Sequence, residues 1–135
     1  MKKALLTAFI TGIILLMLSL AMTYISIYAL PSLTEEYFSP VFRMSGDLDW
    51  MFYAHPFIVS FALKWFWERY KTEFEGPWLL RALEVALVYG IVALLPVLWL
   101  TFSAIDVSPI MIGTWFAYGF VQSFVAGMLF ARMNP

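Results

Sequence analysis

The sequence predicts an all-α integral membrane protein, a bundle of four transmembrane helices with both termini cytoplasmic, and three observations carry that prediction. The chain has 135 residues, 63% hydrophobic and 13% charged, against roughly 25% charged in soluble domains. It holds four apolar runs of about 20 residues, the length that crosses a bilayer core. Its basic residues gather at one set of the ends of those runs. Eight lysines and arginines against nine acids leave a net charge of -1, which excludes a basic nucleic-acid module, and the hydrophobicity excludes a disordered tail. With no cysteine and one histidine, the chain cannot by itself build a thiolate nucleophile, an iron–sulfur site or a multi-histidine metal centre. Residues 1–135 read as a single transmembrane domain, with no cofactor, metal or nucleic acid expected.

The first run, Ala4 to Leu30, follows Lys2 and Lys3. It exceeds the apolar core of about 7 to 15 residues in a secretory signal and reads as a span. The second, Trp50 to Trp67, belongs to a helix over 49–70. A helix starting at Pro56 would be too short to cross, so Pro56 is expected as a kink that frees the Phe52 carbonyl. Glu68, Arg69, Lys71, Glu73 and Glu75 extend this helix by a turn or two. Gly76 and Pro77 then close one helix and open the next, glycine as C-terminal cap and proline at the first helical position. The third span is 78–102, where Pro96 frees the Val92 carbonyl, and the fourth is 109–132. The longest connection, 31–48, carries apolar Tyr37, Phe38, Val41 and Phe42 among its charges. It is expected on the membrane surface or over the bundle mouth.

Lys2, Lys3, Lys64, Arg69, Lys71, Arg81 and Arg132 lie at one set of helix ends and Arg43 alone at the other. By the positive-inside rule the seven face the cytoplasm, and the chain is a multi-pass protein of the plasma (inner) membrane. Trp65, Trp67 and Trp78 fall at the inner interface and Trp50, Trp99 and Trp115 at the outer one. All six read as anchors.

The sequence also aligns with itself. Phe57 to Arg69 reads FIVSFALKWFWER and Phe120 to Arg132 reads FVQSFVAGMLFAR; more loosely, Gly12-Ile13 matches Gly90-Ile91. Chance matches arise readily in so biased a composition. If the match is descent, the protein is a tandem repeat of two helical hairpins about an axis along the membrane normal.

Small residues recur every four positions at Gly119, Ser123 and Gly127, and at Ala82, Ala86 and Gly90. That spacing lets helices approach closely, either within one chain or across a homo-oligomer, and the first is preferred. Thr11, Ser60, Tyr89, Gln122 and Ser123 fall at similar depth, as hydrogen-bonding glue or as the lining of a substrate site. Glu84 is the one acid inside a span. It is expected to pair with Arg81 or Lys64, with a headgroup contact as the functional alternative. Pro56 and Pro96 are each 20 residues from Gly76, so two kinks at one level could open an outward pocket with His55 at its wall; the bland alternative is a histidine capping the broken turn. Glu35, Glu36, Asp47, Asp49 and Asp106 form a solvated acidic face. Asp49 and His55 are six apart, which does not favour a metal pair.

These candidates are scattered singly, so no enzyme is predicted. The expected role is non-enzymatic, through association with itself, with membrane lipid or with another membrane protein. The alternative is a small transporter or channel using the polar layer and the kinked cavity.

Overall fold

Between Lys2 and Ala29 the sequence has no proline and no turn signal, and this stretch is one helix, α1 (Lys2–Ala29), in the computed structural model, which describes residues 2–43 and 45–135. Pro31 then opens a short helix, α2 (Pro31–Glu36), where its fixed φ and missing N–H suit a first turn. A 3₁₀ turn at Gly46–Leu48 leads into α3 (Trp50–Tyr70), which runs through Pro56 as one helix. After the turn beyond Tyr70, α4 (Trp78–Tyr89) passes through a π-helical turn, Gly90–Leu94, into α5 (Leu95–Ala104). The last helix, α6 (Pro109–Met133), is capped by Ser108, whose Oγ accepts the Met111 N–H at 3.1 Å. Among the described residues the fold is all-helical.

Three stretches, α1, Trp78–Ala104 and α6, are long and apolar enough to cross a membrane. α3 has the length but not the hydropathy, because His55, Pro56 and Lys64 interrupt its apolar run.

α1 lies along α3, and α4 lies along α6; α6 also packs on α1, α3 and α5, so it is the central helix. Small side chains permit these contacts. A Cβ on Gly127 would stand 2.9 Å from Ala82 Cα, and one on Gly12 would stand 2.5 Å from the Phe57 ring. Ala82, Ala86, Gly90, Gly119, Ser123 and Gly127 are all buried within the chain. The main core, Leu15, Trp67, Val85 and Phe130, is fully buried and closes one half of the bundle.

That half ends in the basic residues. Lys64 Nζ stands 2.8 Å from Glu68, Arg81 Nη2 donates to the Lys71 carbonyl at 2.9 Å, and Trp67 Nε1 donates to the Asn134 carbonyl at 2.9 Å. The Arg132 guanidinium lies 3.9 Å from the Trp78 ring centre. We call this the basic end and its opposite the acidic end.

The structure departs from the sequence-based prediction at five places. Residues 31–48 are not simply a loop, because α2 and the 3₁₀ turn lie within them. Glu73 and Glu75 stand outside α3, which stops at Tyr70. Gly76 does take positive φ, 85°, but within the turn, and Pro77 is the residue preceding α4. Trp67 is a fully buried core residue, so it is not an interfacial anchor. The π turn has no counterpart in the sequence reading. Its physical cause is Pro96, which gives no N–H to Val92 and whose ring crowds that carbonyl, so the preceding turn widens.

A candidate functional site in the acidic half of the bundle

At the acidic half the helices separate around a cavity of about 770 Å³, within the range of small-molecule sites. α5 has no buried residue and packs on α6, with little or no contact to α3, so its side of the cavity is poorly closed by helix contact. Gly119 of α6 accommodates the inward Leu94 side chain: a Cβ there would be 2.5 Å from Leu94 Cδ2.

Each element supplies part of the wall. α1 presents Ser19, Thr23 and Ser26, spaced to share one helical face. α6 presents Trp115, Tyr118, Gly119 and Gln122 at the same kind of spacing. His55 and Phe52 come from α3, and Tyr89, at the edge of the π turn, also lines the cavity. The mouth is covered by Leu33, Thr34, Tyr37 and Phe38.

That cover is tied down. The Glu36 carboxylate accepts the Ser108 N–H at 2.6 Å and its hydroxyl at 2.7 Å, where a helix N-terminus favours negative charge. Trp115 Nε1 donates to the Tyr37 hydroxyl at 2.6 Å, and Leu33, Val107 and Met111 form a small core beneath. Burial pushes the Tyr37 phenol above its ordinary value, against the Trp115 hydrogen bond, which lowers it; Tyr118 and Glu36 add to the rise.

Inside, Gln122 Nε2 donates to Ser19 Oγ at 2.5 Å. Tyr118 donates to the Met22 carbonyl at 2.9 Å and also meets Ser26 Oγ. No hydrogen bond to protein engages the His55 imidazole or the Tyr89 hydroxyl among the described residues. The wall carries no lysine, arginine, aspartate or glutamate, and no cluster of three metal-binding side chains occurs among the described residues.

Of the candidates read from the sequence, the structure brings His55, Tyr89, Gly119 and Gln122 to this one cavity. The others lie elsewhere. Pro56 and Ser60 are buried where α3 meets α1, and Ser60 Oγ donates to the Ala8 carbonyl at 2.7 Å. Ser123 is buried and donates within its own helix, to the Phe120 carbonyl at 2.9 Å. Pro96 is exposed on the outside of the bundle. Thr11 is fully buried with its hydroxyl unpartnered, so the five polar residues at similar depth do not form one network. Glu84 makes no ion pair among the described residues. Arg81 is drawn to the Lys71 carbonyl and the Trp67 ring, Lys64 to Glu68, and Glu84 Oε2 is left buried without a partner.

Sequence reading missed Ser19, Thr23, Ser26 and Tyr118 as wall residues. Their signal was present, since a serine, a threonine and a serine at helical spacing inside an apolar span mark a polar face. Compared with known proteins, the chain matches no family model, no curated protein and no solved structure.

Proposed function

We propose that the protein crosses the plasma membrane four times with both termini in the cytoplasm, and that it acts without catalysis by holding a lipid-class amphiphile in the cavity of its acidic half. The cavity is the observation that supports this role: about 770 Å³ of mostly apolar space, with a few neutral hydrogen-bonding groups in its wall. The side between α3 and α5 offers a path from the bilayer, with Phe52 and Val97 exposed on its two edges.

α3 supplies the fourth crossing. Its 21 residues rise about 32 Å, and it lies along α1, which is apolar enough to span. The basic end is cytoplasmic by the positive-inside rule. The repeat gains support from two matching contacts, Gly12 on the Phe57 ring and Gly90 on the Phe120 ring, between residues that the self-alignment pairs.

Native mass spectrometry of the detergent-extracted chain tests the role. A lipid of discrete mass should stay bound, and Thr23→Trp, which fills the cavity, should release it. A lipid-free chain, or retention unchanged by Thr23→Trp, would overturn the proposal.

A second role, passage of the amphiphile across the membrane, is favoured by the opening toward one half alone. It requires the packed Leu15, Trp67, Val85 and Phe130 to part. For a conduit, Gln122→Leu abolishes flux in a folded protein; for a holding site it alters stability and retention only.

A further inference from the structure

We infer that the occupant of this cavity is an uncharged lipid with a flat, oxygen-bearing ring headgroup, the chemistry of a quinone. The inference rests on the lipid-holding role above and names its ligand class.

The polar atoms that face the cavity decide the headgroup charge. They are hydroxyls, an amide and an imidazole, all able to be neutral, and no lysine or arginine joins them to neutralise a phosphate. No carboxylate joins them to hold an amine or a choline. A phosphodiester or ammonium headgroup drawn out of water into this space would go uncompensated.

Hydrogen bonding decides the functional groups. Gln122 and Ser19 bond to one another, and Tyr118 bonds to the α1 backbone. Tyr89 and His55 have no such partner, and both face the cavity. His55 is exposed and Tyr89 half-buried; a phenol and an imidazole each offer a polar hydrogen, and at membrane depth, where water does not supply acceptors, such donors favour acceptors on a ligand. Carbonyl oxygens on the ligand supply them.

Aromatic surface decides the shape. Tyr37, Phe38, Phe52, Tyr89, Trp115 and Tyr118 all contribute to the wall. Offset and edge-on packing against such rings favours a planar partner over a flexible glyceride. The sparsely packed side between α3 and α5 lets an apolar tail run into the bilayer while the ring stays inside.

The test is a titration of the full-length chain in detergent with a decyl-tailed benzoquinone, read by tryptophan emission, which quinones quench on contact. Trp115 lies in the wall, so saturable quenching is expected, reduced in Trp115→Phe and abolished in Thr23→Trp. Tyr89→Phe and His55→Ala, which remove one donor each, should weaken the midpoint roughly three- to tenfold. Diacylglycerol, a sterol and phosphatidylglycerol at equal mole fraction should not displace the quinone. Non-saturating quenching that is equal in Trp115→Phe and Thr23→Trp overturns the inference. So does displacement by diacylglycerol, the sterol or phosphatidylglycerol, but that result leaves the lipid-holding role standing with another ligand. A chain that neither binds the quinone nor retains any lipid in native mass spectrometry removes both.

Discussion

The hairpin of α1 with α3 and that of α4–α5 with α6 both set a glycine against a phenylalanine, yet only the first stays α-helical from end to end in each helix. Gly12 sits inside the unbroken α1, with the Phe57 ring 2.5 Å from where its Cβ would be. A Cβ on Gly90 would stand 3.4 Å from the Phe120 ring, and Gly90 begins the π turn. Beyond Gly12, α1 still contributes buried Leu15 and Ser19, whereas beyond the π turn α5 buries nothing. The cavity lies along that difference. One extra residue in a helical turn, forced by Pro96, takes the end of the second hairpin away from the bundle while its other half stays packed. A binding space can therefore arise from a backbone irregularity, with ordinary apolar and aromatic side chains forming most of its wall.

The two glycines are the most direct way to break this comparison. Gly12→Ala drives a methyl into the Phe57 ring, which is itself held 5.7 Å from the Phe9 ring. It should destabilise the chain by about 1–3 kcal/mol. Gly90→Ala meets only ordinary contact and removes a flexible residue, so its effect should fall between neutral and about 1 kcal/mol stabilising. Unfolding midpoints in detergent measure both, and equal losses would show that the two contacts are equivalent after all.

Pro96→Ala tests the cause of the irregularity. With an N–H restored at position 96, the turn at Gly90–Leu94 can tighten to α-helical bonding and carry α5 back toward α3. Lipid retention should fall several-fold with the protein still folded, while Pro56→Ala, in a helix that stays α-helical through that residue, should leave retention unchanged. Identical retention in both variants would remove Pro96 as the origin of the cavity.

A smaller contrast lies in the two serines that the self-alignment pairs. Ser60 bonds across helices to Ala8, and Ser123 bonds to its own helix at Phe120. Ser60→Ala should cost about 1 kcal/mol, and Ser123→Ala close to nothing. The same unfolding measurement decides it, and a larger loss at Ser123 would reverse the assignment of which serine joins two helices.

How much of this was readable in the sequence follows from what each feature depends on. The all-helical class and the stripes at Ala82–Gly90 and Gly119–Gly127 rest on local composition and 3.6-residue spacing, and both were legible. His55, Tyr89 and Gln122 were legible as separate polar residues at depth, but their convergence depends on helix tilt and on a π turn that shifts register by one residue. Glu84 shows the limit of spacing arguments. Arg81 is three residues away on the same helix, yet its guanidinium goes to Trp67 and the Lys71 carbonyl, because residues outside the helix compete for it. Trp67 shows it again: its place near a span end predicts an anchor, and packing makes it a core residue.

The smallest expected effect concerns the cover that joins the two hairpins at the acidic end. Tyr37 follows α2 and accepts a hydrogen bond from Trp115 on α6. Burial holds its phenol above the ordinary 10.0, with Tyr118 and Glu36 adding to the rise. An acid whose folded-state value is raised favours folding in its neutral form, so its contribution is intact below 10.0 and is lost as pH climbs from there toward the folded-state value. Docking of the cover should therefore weaken only above that point, read as a change in Trp115 emission, while the α1–α3 hairpin, which does not depend on this phenol, keeps its packing. Tyr37→Phe removes both the ionisation and the oxygen that Trp115 bonds, and should give emission flat across the same range. An unaltered pH profile in Tyr37→Phe would assign the transition to another group and leave the cover held by Glu36 and the Leu33, Val107 and Met111 core alone.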